Sequence, residues 1–150
     1  MILQLRMRSL FPTLLFLCLL LALLAPTVSA QLLERRATIE SQMGRPTSET
    51  PAHGGLTTGC VYSAGDWKIL IEYLQGVSCG ITYMKKDESP LVESQIAEML
   101  RRNVGGSKWF RQQSTNPDLI TYTREDGKCT AALVLSSILK VEVPGLTEIP

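Results

Sequence analysis

The sequence contains a single histidine, His53, and this scarcity removes most of the common catalytic and metal-binding constellations. It has no Cys-x-x-Cys pair, no His-x-x-x-His pair and no glycine-rich phosphate-binding loop. Serine and thiol nucleophiles usually need a neighbouring base, and a lone histidine in a Pro-Ala-His-Gly-Gly segment is typical of a solvated loop. We therefore expect neither enzyme activity nor a bound metal or cofactor.

The chain also lacks a strong charge of either sign and has no low-complexity run. Its 15 lysines and arginines stand against 14 acidic residues. Two of the basic residues lie in the first 30 positions, which contain no acid, so the remainder carries a formal charge of −1. Nucleic acids and anionic membranes attract basic surfaces. Neither is expected as a partner.

Long apolar runs are absent except at the N-terminus. A short start with Arg6 and Arg8 precedes a nearly continuous apolar segment at 10–25, which leads to the small-residue site Val28-Ser29-Ala30. This order is typical of a secretory signal peptide over residues 1–30, cleaved between Ala30 and Gln31. The apolar run is shorter than a membrane-spanning helix, which disfavours the alternative of an uncleaved anchor. The protein is therefore predicted to be secreted or periplasmic, with no stable membrane span after cleavage.

The remaining 120 residues, 31–150, are the right size for a single domain. Residues 31–43 predict a first helix, because Leu32, Ile39 and Met43 fall near one face. Residues 44–56 are rich in proline, glycine and threonine and show no periodicity, so they predict a loop.

Alternating apolar residues at 67–73 and 77–83 predict a β-hairpin. A two-residue turn at Gln75-Gly76 would place apolar residues opposite polar ones. A three-residue turn at 74–76 keeps the two apolar sets opposite each other, so the longer turn is predicted, with Gly76 in the left-handed conformation. The outward face of the hairpin is then predicted to carry Lys68, Leu70, Glu72, Ser78, Gly80 and Thr82.

A further strand at 57–62 is predicted beside this hairpin, joined to it by a turn at 63–66. That arrangement places Cys60 next to Ile69 on the inward face.

The second half of the chain repeats the helix-then-strands order. A helix is predicted from Ser89, as the cap, to the Gly105-Gly106 pair. Its apolar stripe consists of Leu91, Val92, Ile96, Met99 and Leu100.

Asp126-Gly127 predicts a hairpin with a two-residue turn, pairing Tyr122 with Ala131 and Ile120 with Leu133. A last strand is predicted at 138–143. Its connection through Ser136-Ser137 lacks a typical turn residue, so one long bent strand is the alternative.

Together these elements predict an α+β fold with an antiparallel sheet of about six strands and both helices packed on one face. The order of helix, three strands, helix, three strands suggests a tandem duplication of one structural unit.

The stretch from Leu33 to Met43-Gly44-Arg45-Pro46, followed by a loop and the hairpin at 67–83, resembles one repeat unit of two groups of secreted bacterial proteins. These are the SmpA/OmlA outer-membrane assembly lipoproteins and the beta-lactamase inhibitor protein. The chain lacks the lipidated cysteine of the former and the paired cysteines of the latter, and no functional residue carries over. The resemblance implies a periplasmic or secreted binding module.

Removal of the signal peptide takes away Cys18 and leaves three cysteines, an odd number for an oxidising compartment. Cys60 and Cys79 are predicted on strands that flank a shared strand, roughly 9 to 10 Å apart, which is too far for a disulfide. The main prediction is three buried thiols, and the alternative is a single disulfide that involves Cys129.

These patterns predict a non-catalytic module that binds a protein partner in the cell envelope. The candidate contact residues are Leu70 and Thr82 on the outward sheet face, together with Trp109 and Arg111 in the one aromatic cluster outside the periodic pattern. The alternative role of Trp109 is to close the end of the second helix against the core. The alternative functions are a thiol-dependent redox or enzymatic protein and a purely structural envelope protein.

Overall fold

The computed structural model describes residues 31–52, 57–103, 105 and 107–146. The predicted signal peptide, the Ala30 side of its cleavage site and His53 lie outside the described residues. The described chain forms two helices and eight strands. In chain order these are α1 (Arg36–Met43), β1 (Ser48–Ala52), β2 (Thr57–Ala64), β3 (Trp67–Leu74), β4 (Val77–Lys85), α2 (Glu93–Arg102), β5 (Trp109–Arg111), β6 (Leu119–Arg124), β7 (Thr130–Val134) and β8 (Ile138–Glu142).

All eight strands belong to one antiparallel sheet with the order β1-β2-β3-β4-β8-β7-β6-β5. The first four strands form one meander and the last four form another. Pairing of β4 with β8 joins the two meanders at the centre of the sheet. The predicted α+β class with an antiparallel sheet is therefore confirmed. No described helix has both the length and the apolar character that crossing a membrane requires.

The prediction of about six strands was wrong, because it missed the two strands at the edges of the sheet. β1 lies inside the predicted loop at 44–56, and β5 lies in the segment after α2 that had no assigned element. An edge strand pairs on one side only and is mostly exposed, so its residues need not alternate between apolar and polar. In the described chain, a helix followed by four strands occurs twice.

The β3–β4 hairpin has a shorter turn than predicted. Leu74 pairs with Val77 across the two-residue turn Gln75-Gly76, and both turn residues have positive φ, 52° and 78°. Cys79 is an extra residue in β4, where the register shifts between Glu72 and Tyr73. This β-bulge restores apolar-to-apolar pairing beyond it, which is the requirement that had favoured the longer turn.

The bulge also changes which residues lie opposite one another. Ile71 pairs with Ile81 and Ile69 with Tyr83, whereas the predicted three-residue turn would have paired them with Cys79 and Ile81. Cys60 pairs with Ile71 instead of lying next to Ile69.

Helix α1 begins five residues later than predicted, because backbone groups of residues 31–35 pair with β4. The Leu33 amide donates to the Ser78 carbonyl at 2.8 Å, and the Ser78 amide donates to the Glu34 carbonyl at 2.9 Å. The Ser78 hydroxyl donates to the Gln31 carbonyl at 2.7 Å and accepts from the Glu34 amide at 3.0 Å. The Ser78 side chain therefore lies on the side of the sheet that the helices cover. Its predicted position on the outward face was wrong.

Helix α2 follows the predicted stripe, with Leu91, Ile96, Met99 and Leu100 buried. Val92 is 54% exposed, because it occupies the N-cap and not the apolar face. Ser89 does not cap the helix, since its hydroxyl donates to Asp87 at 2.8 Å. The helix ends at Arg102, before Gly105.

The second hairpin has the predicted register, with Tyr122 opposite Ala131 and Ile120 opposite Leu133. The predicted two-residue turn at Asp126-Gly127 was wrong, because the Gly127 amide donates to the Arg124 carbonyl at 2.8 Å and the turn centres one residue earlier. The connection between β7 and β8 is a tight turn and not a bend in one long strand. Val134 pairs with Ile138 across it, and Leu135 and Ser136 both adopt positive φ. Positive φ is uncommon for residues other than glycine and asparagine, and this turn contains neither, so its sequence gave no turn signal.

The core lies between the two helices and one face of the sheet. Ile39 of α1 and Ile96, Met99 and Leu100 of α2 pack against the inward residues of the strands. Three tyrosine hydroxyls in this layer are hydrogen-bonded: the Tyr62 and Tyr73 hydroxyls lie 3.0 Å apart, and the Asn103 amide donates to the Tyr83 hydroxyl at 3.3 Å.

Burial of these tyrosines predicts a loss of stability at alkaline pH. Desolvation raises the pKa of Tyr83 to about 12, against about 10 for an unfolded tyrosine. Between these two values the folded state keeps a proton that the unfolded state loses, so the free energy of unfolding falls as the pH rises. Urea unfolding at about pH 9 and about pH 11 should show this loss, and Tyr83→Phe should reduce it. Tyrosinate absorbance that reports ionisation of every tyrosine near pH 10 while the protein stays folded would contradict the prediction.

Candidate functional site

The sheet face that points away from the helices has no helix packed on it in the described part of the chain. Its residues alternate with the buried core residues along each strand. We call it the helix-free face. It includes Val61, Ser63, Lys68, Leu70, Glu72, Thr82, Met84, Leu119, Thr121, Thr123, Thr130, Ala132, Val134, Ile138, Lys140 and Glu142.

One end of the helix-free face is apolar. Met84 pairs with Ile138, Ile138 with Val134, and Val134 with Leu119, so four apolar side chains cross four neighbouring strands. Val134 is 37% exposed, and Leu135 in the adjoining turn is 63% exposed. A contiguous apolar row of this kind on an uncovered sheet face is typical of an interaction surface.

The centre of the same face is charged. The Lys140 ammonium lies 2.6 Å from the Glu142 carboxylate and 3.8 Å from the Glu72 carboxylate. Glu72 has Gly59 and Gly80 as its neighbours on the two flanking strands, and its side chain is nevertheless buried. Burial lowers the pKa of Lys140, but the hydrogen bond and charge of Glu142, with the charge of Glu72, raise it overall. The ammonium therefore stays protonated and holds the two carboxylates together.

The four predicted contact residues divide between two places. Leu70 and Thr82 lie on the helix-free face, as predicted, where they pair with each other, and Thr82 is only 9% exposed. Trp109 and Arg111 lie on edge strand β5 and share the opposite side of the sheet with Tyr122. The structure therefore does not bring the four together. Gln31, at the predicted cleavage site, is exposed.

Trp109 and Arg111 line a groove of about 510 Å³ between α2 and β5. We call it the α2–β5 groove. Its apolar lining comes from Ile96, Ala97, Leu100, Trp109 and Tyr122, and its charged lining from Glu93, Arg101, Lys108 and Arg111. Trp109 also packs against the core, which is the alternative role that the sequence left open. Its indole nitrogen is buried and has no hydrogen-bond partner among the described residues.

Arg124 fixes the end of α2 that borders this groove. Its guanidinium donates to the Asn103 carbonyl at 3.0 Å and to both Asp126 carboxylate oxygens at 2.9 Å. The hydrogen bond to Asp126 raises the pKa of Arg124, and the same contact lowers the pKa of Asp126. A cation at a helix C-terminus also complements the helix dipole. Sequence patterns missed this residue, because nothing local indicates that β6 passes under the end of α2.

None of the three cysteines that the structure describes has the environment of a reactive thiol. Cys60, Cys79 and Cys129 are buried and free, and burial raises the pKa of each. Reactive thiols need a lowered pKa and solvent access. The Cys79 thiol instead donates to the Glu72 carbonyl at 3.3 Å.

The chain contains one Gly-x-Ser-x-Gly pattern, from Gly76 to Gly80, which has the spacing of a hydrolase nucleophile elbow. That elbow requires a turn from a strand into a helix, whereas Ser78 lies within β4, directly after a hairpin turn. Its side chain is fully buried and bonded to the backbone of residues 31 and 34. The role of the pattern in this protein is structural.

A second cleft, of about 320 Å³, lies beside the β2–β3 and β4–α2 connections. Its polar groups are engaged locally: the Lys85 ammonium donates to the Pro90 carbonyl, and Asp87 accepts from the Ser89 amide and hydroxyl. Those hydrogen bonds from Ser89 lower the pKa of Asp87. Within the described residues, no group of three metal-ligating side chains is present.

No protein-family model matches the chain, and no curated protein matches it. The resemblance to the two groups of secreted bacterial proteins therefore stays a prediction. Among solved structures, a cysteine-rich secretory protein (SAV1118) from Staphylococcus aureus aligns with 75% of this chain and 44% of its own, at 9% identity and a TM-score of 0.42. The chain thus spans less than half the length of that protein, and a likeness at this level bears on neither family nor function.

Proposed function

We propose that this protein is an exported, non-catalytic module that binds a protein partner in the cell envelope through its helix-free face. The observation that carries the proposal is the apolar row Met84-Ile138-Val134-Leu119, which lies on a sheet face with no described element over it. The signal-peptide pattern of residues 1–30 supports the export step.

The layout of the face suits a protein partner better than a small ligand. The apolar row and the Glu72–Lys140–Glu142 cluster lie side by side and together extend over five neighbouring strands, β3, β4, β8, β7 and β6. Protein interfaces combine an apolar centre with polar groups that set orientation and specificity. The exposed Leu135 extends the apolar row beyond the end of the sheet.

The thiol-dependent alternative has less support. It needs an accessible thiol with a lowered pKa, and all three described cysteines are buried with raised pKa values. The purely structural alternative makes a different prediction, because a protein that needs only stability would tolerate a charge on an exposed part of the helix-free face.

Val134→Asp tests the proposal, because it places a charge in the centre of the apolar row without touching the core. We expect this variant to lose a protein that wild type captures from an envelope extract after crosslinking, with at least a tenfold drop in recovery. Leu70→Asp should weaken capture through the adjoining part of the face.

Val92→Asp is the matched control, since it makes the same chemical change at an exposed residue. Val92 is the N-cap of α2, where aspartate is favourable, so this variant should stay folded and capture the same protein as wild type. Equal capture by wild type, Val134→Asp and Leu70→Asp would contradict the proposal and favour the structural alternative.

A further inference from the structure

We propose that β5 and the α2–β5 groove form a second binding site, for an extended acidic peptide segment that joins the sheet as a ninth strand beside β5. This site is separate from the helix-free face and does not depend on the function proposed for that face. Three features of the described residues support it: an open strand edge, an apolar groove beside that edge, and two cations without partners.

The edge of β5 presents backbone groups for pairing. The Gln112 amide donates to the Thr121 carbonyl, and the Lys108 carbonyl accepts from the Glu125 amide, both at 2.8 Å. In an antiparallel pair the residues that bond to the neighbour alternate along the strand. The N–H and C=O groups of Trp109 and Arg111 therefore point away from β6, at the open edge of the sheet.

The other edge of the sheet is less suited to an added strand. β1 contains Pro51, which has no amide hydrogen to donate. Its Glu49 is held by Arg36 from α1, with Nη2 to Oε2 at 2.7 Å. Strand addition therefore favours the β5 edge.

The groove gives an added strand a place for its side chains. Alternate residues of a strand beside β5 would point to the same side as Trp109 and Arg111, into the space of about 510 Å³ that α2 borders. Ile96, Leu100 and Tyr122 line that space, so apolar side chains fit its floor. Recognition by strand addition uses backbone hydrogen bonds for affinity and such pockets for specificity.

Two positively charged side chains at this edge favour an acidic peptide as the added strand. Lys108 and Arg111 have no ion-pair partner within 4.0 Å among the described residues, whereas Arg101 on the far side of the groove is paired with Glu98 at 2.6 Å. Acidic side chains on the added strand would pair with the two unpartnered cations. A second copy of this chain, joined edge to edge through β5, would instead bring its own Lys108 and Arg111 against them, and like charges disfavour that arrangement.

Fluorescence anisotropy with dye-labelled peptides tests the proposal on protein purified from the exported fraction. The probe is a short valine-rich peptide with two aspartates three positions apart, which is the separation of Lys108 and Arg111, and its counterpart has lysine in place of each aspartate. We expect the aspartate peptide to bind about tenfold more tightly than the lysine peptide, with an advantage that shrinks as salt is added. N-methylation of alternate amides of the aspartate peptide, in the frame that faces β5, should abolish binding, because those amides could no longer donate to the strand edge.

Two variants separate the backbone contribution from the charge. Arg111→Gln removes the charge alone, whereas Arg111→Pro also removes an N–H at the open edge and leaves the β5–β6 bonds of Lys108 and Gln112 in place. Both should bind the aspartate peptide less tightly than wild type, and the proline variant should lose about tenfold more than the glutamine variant. The double variant Lys108→Glu/Arg111→Glu should reverse the preference and bind the lysine peptide.

Equal affinity for the two peptides, unchanged binding by Arg111→Pro, or no binding of either peptide would each overturn the proposal. A wild-type dimer in solution that Arg111→Pro converts to a monomer would overturn it too, because the occupant of the edge would then be a second copy. Val134→Asp should bind the aspartate peptide as wild type does. Failure of this site is therefore distinguishable from failure of the helix-free face.

Discussion

Ile71→Ala is expected to lower the free energy of unfolding by about 4 kcal/mol, a large fraction of the stability of a domain of this size. Ile71 is fully buried in the middle of β3, between Cys60 on β2 and Ile81 on β4. Its truncation removes apolar surface that folding buries and leaves a cavity between strands that the sheet holds apart. Urea unfolding, with midpoint and slope fitted together, measures the loss.

Ile71→Val should cost only about 1 kcal/mol and gives a graded comparison if the alanine variant does not fold. Leu135→Ala is the control, because Leu135 is 63% exposed in the β7–β8 turn and should cost less than about 0.5 kcal/mol. Equal losses for Ile71→Ala and Leu135→Ala would contradict the placement of Ile71 in the core.

Arg124→Met is expected to cost about 3 kcal/mol, because one buried guanidinium joins three parts of the fold. It belongs to β6, bonds the Asn103 carbonyl that follows α2, and holds both oxygens of Asp126 in the β6–β7 turn. Its side chain is 8% exposed, so water cannot replace the bonds that methionine lacks. The loss should appear in thermal unfolding and as faster amide hydrogen exchange at the end of α2.

Arg101→Met provides a matched control for that variant. Arg101 also makes two bonds to one carboxylate, that of Glu98, at 2.6 and 2.8 Å. Its side chain is 69% exposed, so its loss should cost less than about 0.5 kcal/mol. Similar costs for the two substitutions would show that burial does not set the contribution of Arg124.

The α2 stripe and the β6–β7 hairpin were predictable because their signals are local. Ile96, Met99 and Leu100 fall on one face at helical spacing whatever the rest of the chain does. Asp126-Gly127 suits a tight turn, and Gly127 adopts a positive φ of 68° there.

The first hairpin shows how local reasoning can fail while its principle holds. The requirement that apolar residues oppose apolar residues was right, and Ile71 does face Ile81. A longer turn was one solution to that requirement, and a two-residue turn with a bulge at Cys79 was another. Spacing alone does not distinguish them.

The candidate sites were only partly predictable for a related reason. Alternation along β3 and β4 placed Leu70 and Thr82 on the outward face, where the structure has them. The cluster of Trp109, Phe110 and Arg111 was visible as a composition signal, but its position on an edge strand was not. The apolar row of the helix-free face joins residues from β4, β6, β7 and β8, and no sequence window contains them together.

By itself the sequence determined the α+β class, the stripe of α2, the register around Asp126-Gly127 and the outward alternation of β3, because each depends on residues close together in the chain. Only the tertiary structure decided the eight-strand order, the two edge strands, the late start of α1 and the separation of Leu70 from Trp109 on opposite sides of the sheet. These features depend on pairing between distant segments, such as Ser78 with residues 31–34 and β4 with β8. Backbone groups make such pairings, and backbone groups are the same in every residue but proline, so residue identity signals them weakly.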